Sequence, residues 1–169
     1  MDELLVQVFL ESHRSAPEQI VLDVDTTDLP LHGKQEGRFF HGYYDNYCYL
    51  PLYVFCGDHV LCARLREANH DAAFGCLAEI RRIVAQIRAA WPEVKIILRG
   101  DSGFCRNELM SWCEGQGVDF VFGLARNQRL RRIIAQVWKT RVSGLKRIAA
   151  TDRPKGPHPA RPHAPTPKC

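Results

Sequence analysis

Two short β-branched runs, each ending on an aspartate, restrict this chain more than any other feature. The first is QIVLDVDTT at 19–27 and the second is VKIILRGDSGF at 94–104. Strand interiors favour Val and Ile and disfavour Asp, so Asp23, Asp25 and Asp101 stand against local propensity. Such violations mark the places where function is expected. Between the runs, Leu77, Ile80, Val84, Ile87 and Trp91 recur at i, i+3, i+4 spacing and predict a helix over 72–91, ended by Pro92. A strand, a helix and a strand in that order predict a parallel pair joined by a right-handed crossover.

The other elements follow from period and punctuation. Residues 2–11 carry Leu4, Leu5, Val8 and Phe9 at helical spacing. Residues 28–42, with Gly33, Gly37 and Gly42, show no sustained period and read as a loop or lid. Residues 43–55 and 60–65 read as a hairpin turning at Gly57-Asp58, with Pro51 at a bulge or an unpaired edge. Asn69 and Asp71 are candidate N-caps for the long helix. A short helix over 106–114, a strand over 118–124 and a helix over 127–141 complete the pattern. Asn127 caps the last of these, with Leu130, Ile133, Ile134, Val137 and Trp138 turned inward. From Arg153 onward six of the ten prolines crowd a stretch without large apolar residues, which reads as a disordered tail.

If the first three strands form an antiparallel meander and the long helix returns the chain beside the first, the strand order is 3-2-1-4-5. The order reverses between strands one and four, and ligands of open α/β sheets gather outside the carboxyl ends of strands at such a point. Asp25 and Asp101 lie at those two ends. Facing carboxylates both stay ionised when a cation sits between them, and Mg²⁺ is the hard, oxygen-seeking candidate. A pair of such ions would serve phosphodiester chemistry. The plain alternative for Asp101 is a turn or helix-cap carboxylate, as in any Asp-Ser-Gly. Asp23 shares a face with Asp25 and reads as a supporting acid or a competing ligand. His32 and His41, in the non-periodic segment, read as ordinary surface histidines rather than ligands.

At 169 residues the chain suits one core, and its 46% apolar and 25% charged residues are those of an ordinary globular protein. No apolar run approaches the ~20 residues of a membrane span, and MDELLVQVFL lacks the basic start of a signal peptide. Seven dispersed cysteines without a C-x-x-C pair fit reduced thiols, hence a cytoplasmic protein. Net charge is only +4, but arginines cluster at Arg81, Arg82 and Arg88 and again at Arg126, Arg129, Arg131, Arg132 and Arg141. Clustered arginine suits phosphate, and a solvated helix face is the competing reading.

Three blocks, VLDVDTTDLPLHGKQEGRFFHGYYDNYCYLPLYVF, ILRGDSGF and DFVFGLARNQRL, resemble the DDE transposases of bacterial insertion sequences, in particular the branch labelled thirteen-eighty. The resemblance spans about Glu18 to Arg141. It implies a ribonuclease H-like mixed sheet flanked by helices, three acids holding Mg²⁺ or Mn²⁺, and DNA nicked at element ends and joined to a target. On that pattern Asp25 is the first acid and Asp101 the second; the DNA phosphate contacts expected beside them are Arg126, Arg129, Arg131 and Arg132, because arginine is well shaped for phosphate. The third acid of the family is a glutamate on a helix further downstream. Glu108 and Glu114 follow Asp101 too closely to match it, and Asp152 borders the proline-rich tail. The expectation is therefore a truncated central fragment: a lead-in over 1–17, a partial catalytic domain over 18–150 and a tail over 151–169. Its partners would be DNA and a second copy or a full-length transposase. A DNA-binding or transposase-interacting remnant without activity is the alternative, and a metal-dependent nuclease of the same fold is a third.

Overall fold

The computed structural model describes residues 2–125 and 127–138, in two compact units that divide after Ala125. The first unit begins with helix α1 (Asp2–Glu11) and strand β1 (Gln19–Thr26). Strands β2 (Leu29–Pro30), β3 (Phe39–His41), β4 (Asn46–Tyr49), β5 (Leu52–Cys56) and β6 (His59–Arg64) follow. Helix α2 (Cys76–Ala90), strand β7 (Lys95–Gly100), helix α3 (Asn107–Gln116) and strand β8 (Asp119–Phe122) complete it.

The main sheet runs β6-β5-β1-β7-β8, with β5 antiparallel to both β6 and β1, and β7 parallel to β1 and to β8. That is the 3-2-1-4-5 order expected from the crossover rule, in a mixed α/β fold of a five-stranded sheet with helices. Alternation decides which residues meet the core. Ile20, Leu22 and Val24 of β1 and Ile96 and Leu98 of β7 are buried, whereas Asp25, Lys95 and Arg99 are exposed. Val6 and Phe9 of α1, Ile80, Ile83 and Ile87 of α2, and Leu109 and Cys113 of α3 join these strand residues in one core. The helices thus cover the face opposite the aspartates.

Several local expectations are corrected. Residues 28–42 are not a structureless loop: they contribute β2 and β3 to a second sheet, ordered β2-β4-β3. These strands are too short and too exposed to show a period. The hairpin arm read across 43–55 is two strands in two sheets. Pro51, which cannot donate to a ladder, is buried and unpaired where the chain passes from one sheet to the other, and the irregularity in the β5–β6 pairing lies instead between Val54 and Phe55. Gly57 does take the positive φ that the turn required, at 57°. Helix α2 begins at Cys76 after Gly75 in the left-handed region, without a side-chain cap. Asp71, expected as a cap, instead accepts from the Ala73 N–H at 2.9 Å in a local turn.

The second unit contains a helix over 128–138, and Asn127 caps it, its Oδ1 accepting from the Arg129 N–H at 2.8 Å. The apolar residues expected to point inward are exposed: Ile133, Ile134, Val137 and, most of all, Trp138 at 69%. The proline-rich tail lies outside the described residues. Among the described residues, six cysteines are free thiols and no helix is long and apolar enough to cross a membrane.

Candidate functional site

The last registered pair between the parallel strands β1 and β7 is Val24 with Gly100. Asp25 and Asp101 are the next residues on each, so the two acids emerge side by side where the strand order reverses. Both are exposed. One oxygen of each is anchored by backbone. Asp25 Oδ1 accepts from the Thr26 N–H at 2.8 Å, and Asp101 Oδ1 accepts from the Gly103 N–H at 2.8 Å. Among the described hydrogen bonds the second oxygen of each has no partner. Two hard, oriented oxygens left open at one sheet edge suit a hard divalent cation. They are two donors rather than three: among the described residues no group of three His, Cys, Asp or Glu is placed to hold a metal.

Asp23, two residues earlier on the same face, is occupied. Arg99 is its partner in the β1–β7 register and pairs with it through both oxygens, Arg99 Nη2 donating to Asp23 Oδ2 at 2.8 Å. The pair raises the affinity of Arg99 for its proton, first through the hydrogen bond and then through the charge of Asp23. The fork engages both Asp23 oxygens.

A third acid, Asp28, is brought to the same region from β2's approach, and nothing in the local sequence period marks it. Asn46 Nδ2 donates to Asp28 Oδ2 at 3.0 Å. The Tyr44 phenol sits in the joint field of the acids. Its pKa is pushed up by burial first, then by the charges of Asp28, Tyr43, Asp25 and Asp101. Asp28 is also the charge that, after burial, pushes up the Cys48 thiol. Tyr44 is held by Cys48, Leu50 and Ala68 and by ring contacts to Tyr43 at 5.0 Å and His41 at 5.1 Å. Two buried polar atoms beside it, His41 Nδ1 and Asn46 Oδ1, have no hydrogen-bond partner. The DTTD run at 25–28 was the available signal for Asp28; Tyr44 and Asn46 had none.

The loop before α2 borders the Asp101 turn. Arg66, 8% exposed, donates through Nε to the Leu50 carbonyl at 2.9 Å and through Nη1 to the Ala72 carbonyl at 3.1 Å and the Phe74 carbonyl at 2.5 Å. Burial lowers its pKa. Arg106 Nη2 donates to Asp71 Oδ2 at 2.6 Å, and this bond is the main reason the Asp71 carboxyl is held below the ordinary carboxylate range. A cleft of about 620 Å³ opens beside that pair, between the starts of α2 and α3, and Asp25 and Asp101 do not line it.

The arginines divide. Arg82 is tied to Glu79 and Gln86, and Arg88 to the Gln116 and Gly117 carbonyls at the end of α3. These serve the fold. Arg129, Arg131 and Arg132 are exposed on the helix of the second unit, and Arg126 lies outside the described residues. His32 is exposed on a loop.

A family model described as "Transposase DDE domain group 1" matches residues 1–150. No curated protein matches the chain. Among solved structures, the catalytic domain of Mos1 mariner transposase aligns with 9% identity and a TM-score of 0.46, over 82% of this chain and 69% of that one. The Mos1 transposase paired-end complex with left transposon end aligns with 10% identity and a TM-score of 0.43, over 70% and 40%. A piggyBac transposase synaptic complex with hairpin DNA aligns with 13% identity and a TM-score of 0.42, over 64% and 24%. The alignments with these two complexes thus span less than half the length of the other chain.

Proposed function

Because the chain belongs to the transposase DDE domain group 1 family, we propose that it carries the DNA strand-cleavage and strand-transfer centre of a transposase, with Asp25 and Asp101 as catalytic metal ligands. The observation that carries the reading is the pair of open carboxylate oxygens, side by side at the two strand ends where the sheet order reverses. The substrate class is a DNA phosphodiester. In cleavage, a water oxygen bonds to phosphorus as the bond to the 3′ oxygen breaks, releasing a 3′-hydroxyl. In joining, that hydroxyl attacks a target phosphodiester and displaces a new 3′ oxygen. A divalent cation, Mg²⁺ or Mn²⁺, supplies the charge that activates the attacking oxygen and stabilises the leaving one. The residues of the chain do the rest. Thr26 and Gly103 aim the carboxylates through their N–H groups, and the Arg99 fork keeps Asp23 out of the site. Tyr44, held neutral, offers a hydroxyl beside the acids.

The three sequence blocks support placement in the thirteen-eighty branch of bacterial insertion-sequence transposases, and so a cytoplasmic protein. Arg126, Arg129, Arg131 and Arg132 are the proposed phosphate contacts, since arginine matches phosphate geometry. Residues 18–150 are proposed as a partial catalytic domain, with 1–17 leading in and 151–169 a tail. DNA ends, a DNA target and further transposase copies are the proposed partners.

Titration with Mn²⁺ in a calorimeter tests the site: binding to the native chain and its loss in Asp25→Ala plus Asp101→Ala is the expected result. Identical binding in both removes the assignment. A second reading follows from the engagement of Asp28, the acid nearest in sequence to Asp25, by the Asn46 amide, which leaves Asp25 and Asp101 as an incomplete donor set. The chain would then be a remnant that binds DNA or transposase without cutting. Nicking of supercoiled plasmid separates the two, because salt-sensitive binding without metal-dependent nicking is the signature of the remnant.

A further inference from the structure

Asp101 sits in a turn that three glycines let its neighbours approach at closer than ordinary distances. A β-carbon on Gly123, just past β8, would lie 2.9 Å from the Ser102 nitrogen, 3.2 Å from the Asp101 carbonyl carbon and 3.5 Å from the Asp101 Cα. A β-carbon on Gly103 would lie 2.9 Å from Asp101 Oδ1 and 3.1 Å from the Ala72 Cβ. One on Gly100 would meet the Phe104 side chain at 3.1 Å, and Phe104 is fully buried. The Gly123 N–H donates to the Gly100 carbonyl at 3.0 Å, which fixes the β8 exit against the turn. None of the three has a positive φ, so backbone conformation does not demand glycine at these positions; the space does.

We infer that Gly123 is a positioning residue for Asp101: the exit of β8 packs backbone to backbone on the 101–102 peptide and so sets where the carboxylate points. Gly103 plays a matching part: its N–H anchors Asp101 Oδ1, and its lack of a β-carbon leaves room for that oxygen beside Ala72 of the loop held by Arg66. This rests on the reading of Asp101 as a cation ligand, and it adds a residue twenty-two positions away in sequence that acts through the backbone of the turn.

The gap at Gly123 is bounded by backbone, which yields less readily than the free end of a side chain, so even one methyl group must displace the turn. The test is Mn²⁺ affinity by titration of the full chain, alongside the thermal midpoint, for Gly123→Ala, Gly103→Ala, Asp101→Ala and Gly115→Ala. Gly115 has nothing within 4 Å of its β-carbon position and serves as the control. Expected is a fall in affinity of about tenfold or more in Gly123→Ala and Gly103→Ala, in the range seen when residues that orient metal ligands are lost. Gly115→Ala should leave affinity unchanged. The electron paramagnetic signature of bound Mn²⁺ should alter in the two glycine variants even where the metal is saturating, which a loss of stability alone would not produce. If Asp101→Ala abolishes binding while Gly123→Ala and Gly103→Ala bind as the native chain does, the positioning role is overturned and the metal site stands. Should Gly123→Ala fail to fold, Gly103→Ala decides alone, since it presses on the carboxylate rather than the backbone. If Asp101→Ala itself binds Mn²⁺ unchanged, the metal reading falls and the inference with it.

Discussion

The two faces of the main sheet are built from the same strands and have opposite tasks. On one face, Leu22, Val24, Leu98 and their neighbours are sealed by α1, α2 and α3. On the other, the intervening residues Asp23, Asp25 and Arg99 are left partly or fully open. One residue step along β1 therefore separates a side chain packed into the core from an open one proposed as a metal ligand. The difference teaches that the acids depend on the covered face for their placement while adding little to its stability.

The largest effect should expose this contrast in stability. Leu98 is fully buried, so Leu98→Ala should lower unfolding free energy by about 2–5 kcal/mol, the usual cost of a leucine deleted from a packed core. Asp25→Ala, at an exposed position with no core contact, should stay within about 0.5 kcal/mol. Urea denaturation of both measures it. A comparable loss in Asp25→Ala would mean that the acid is structural, and the division between the faces would fail.

Metal binding should divide the open face itself. Asp25→Asn should weaken Mn²⁺ binding by more than about a hundredfold, whereas Asp23→Asn should change it less than about tenfold, acting only through the freed Arg99. Calorimetric titration of the pair decides it. Equal losses would make Asp23 a ligand, and the Arg99 fork would then be a resting arrangement that metal displaces.

Much of this division is legible in the sequence. The parity that puts Asp23 and Asp25 on one face follows from the two-residue period, and the crossover rule alone places β7 beside β1. Polar cues near helix α2 are ambiguous because an aspartate that could cap a helix can equally close its own turn, as Asp71 does. The second sheet was not legible, since strands of two to four residues such as Leu29–Pro30 and Asn46–Tyr49 carry no countable period. Tyr44 sits on the β3–β4 connection of that sheet, so nothing in the period marks it, whereas Asp28 is signalled only by the DTTD run. Nothing local in the chain announces that Gly123 would lie against Asp101, because the contact is made by β8 pairing with β7.

The smallest effect is the share of the alkaline pH dependence that the covered face contributes. Burial raises the Cys76 thiol from 9.0 to about 12 and the Cys113 thiol from 9.0 to about 11. In each case the folded state keeps its proton to higher pH than the unfolded state does. The unfolded chain is therefore the one favoured by proton loss. The stabilising share of these thiols is complete below about pH 9 and decays as pH climbs towards the raised values. The urea midpoint of the native chain should fall between pH 9 and pH 10.5, and the fall should be shallower in Cys76→Ala plus Cys113→Ala, whose neutral methyl groups cannot ionise. Asp25→Ala should keep the native slope, since its position faces away from the buried thiols. An unchanged slope in the cysteine variant would show that these thiols feel solvent after all, and the helix-covered face would then be less dry than its packing requires.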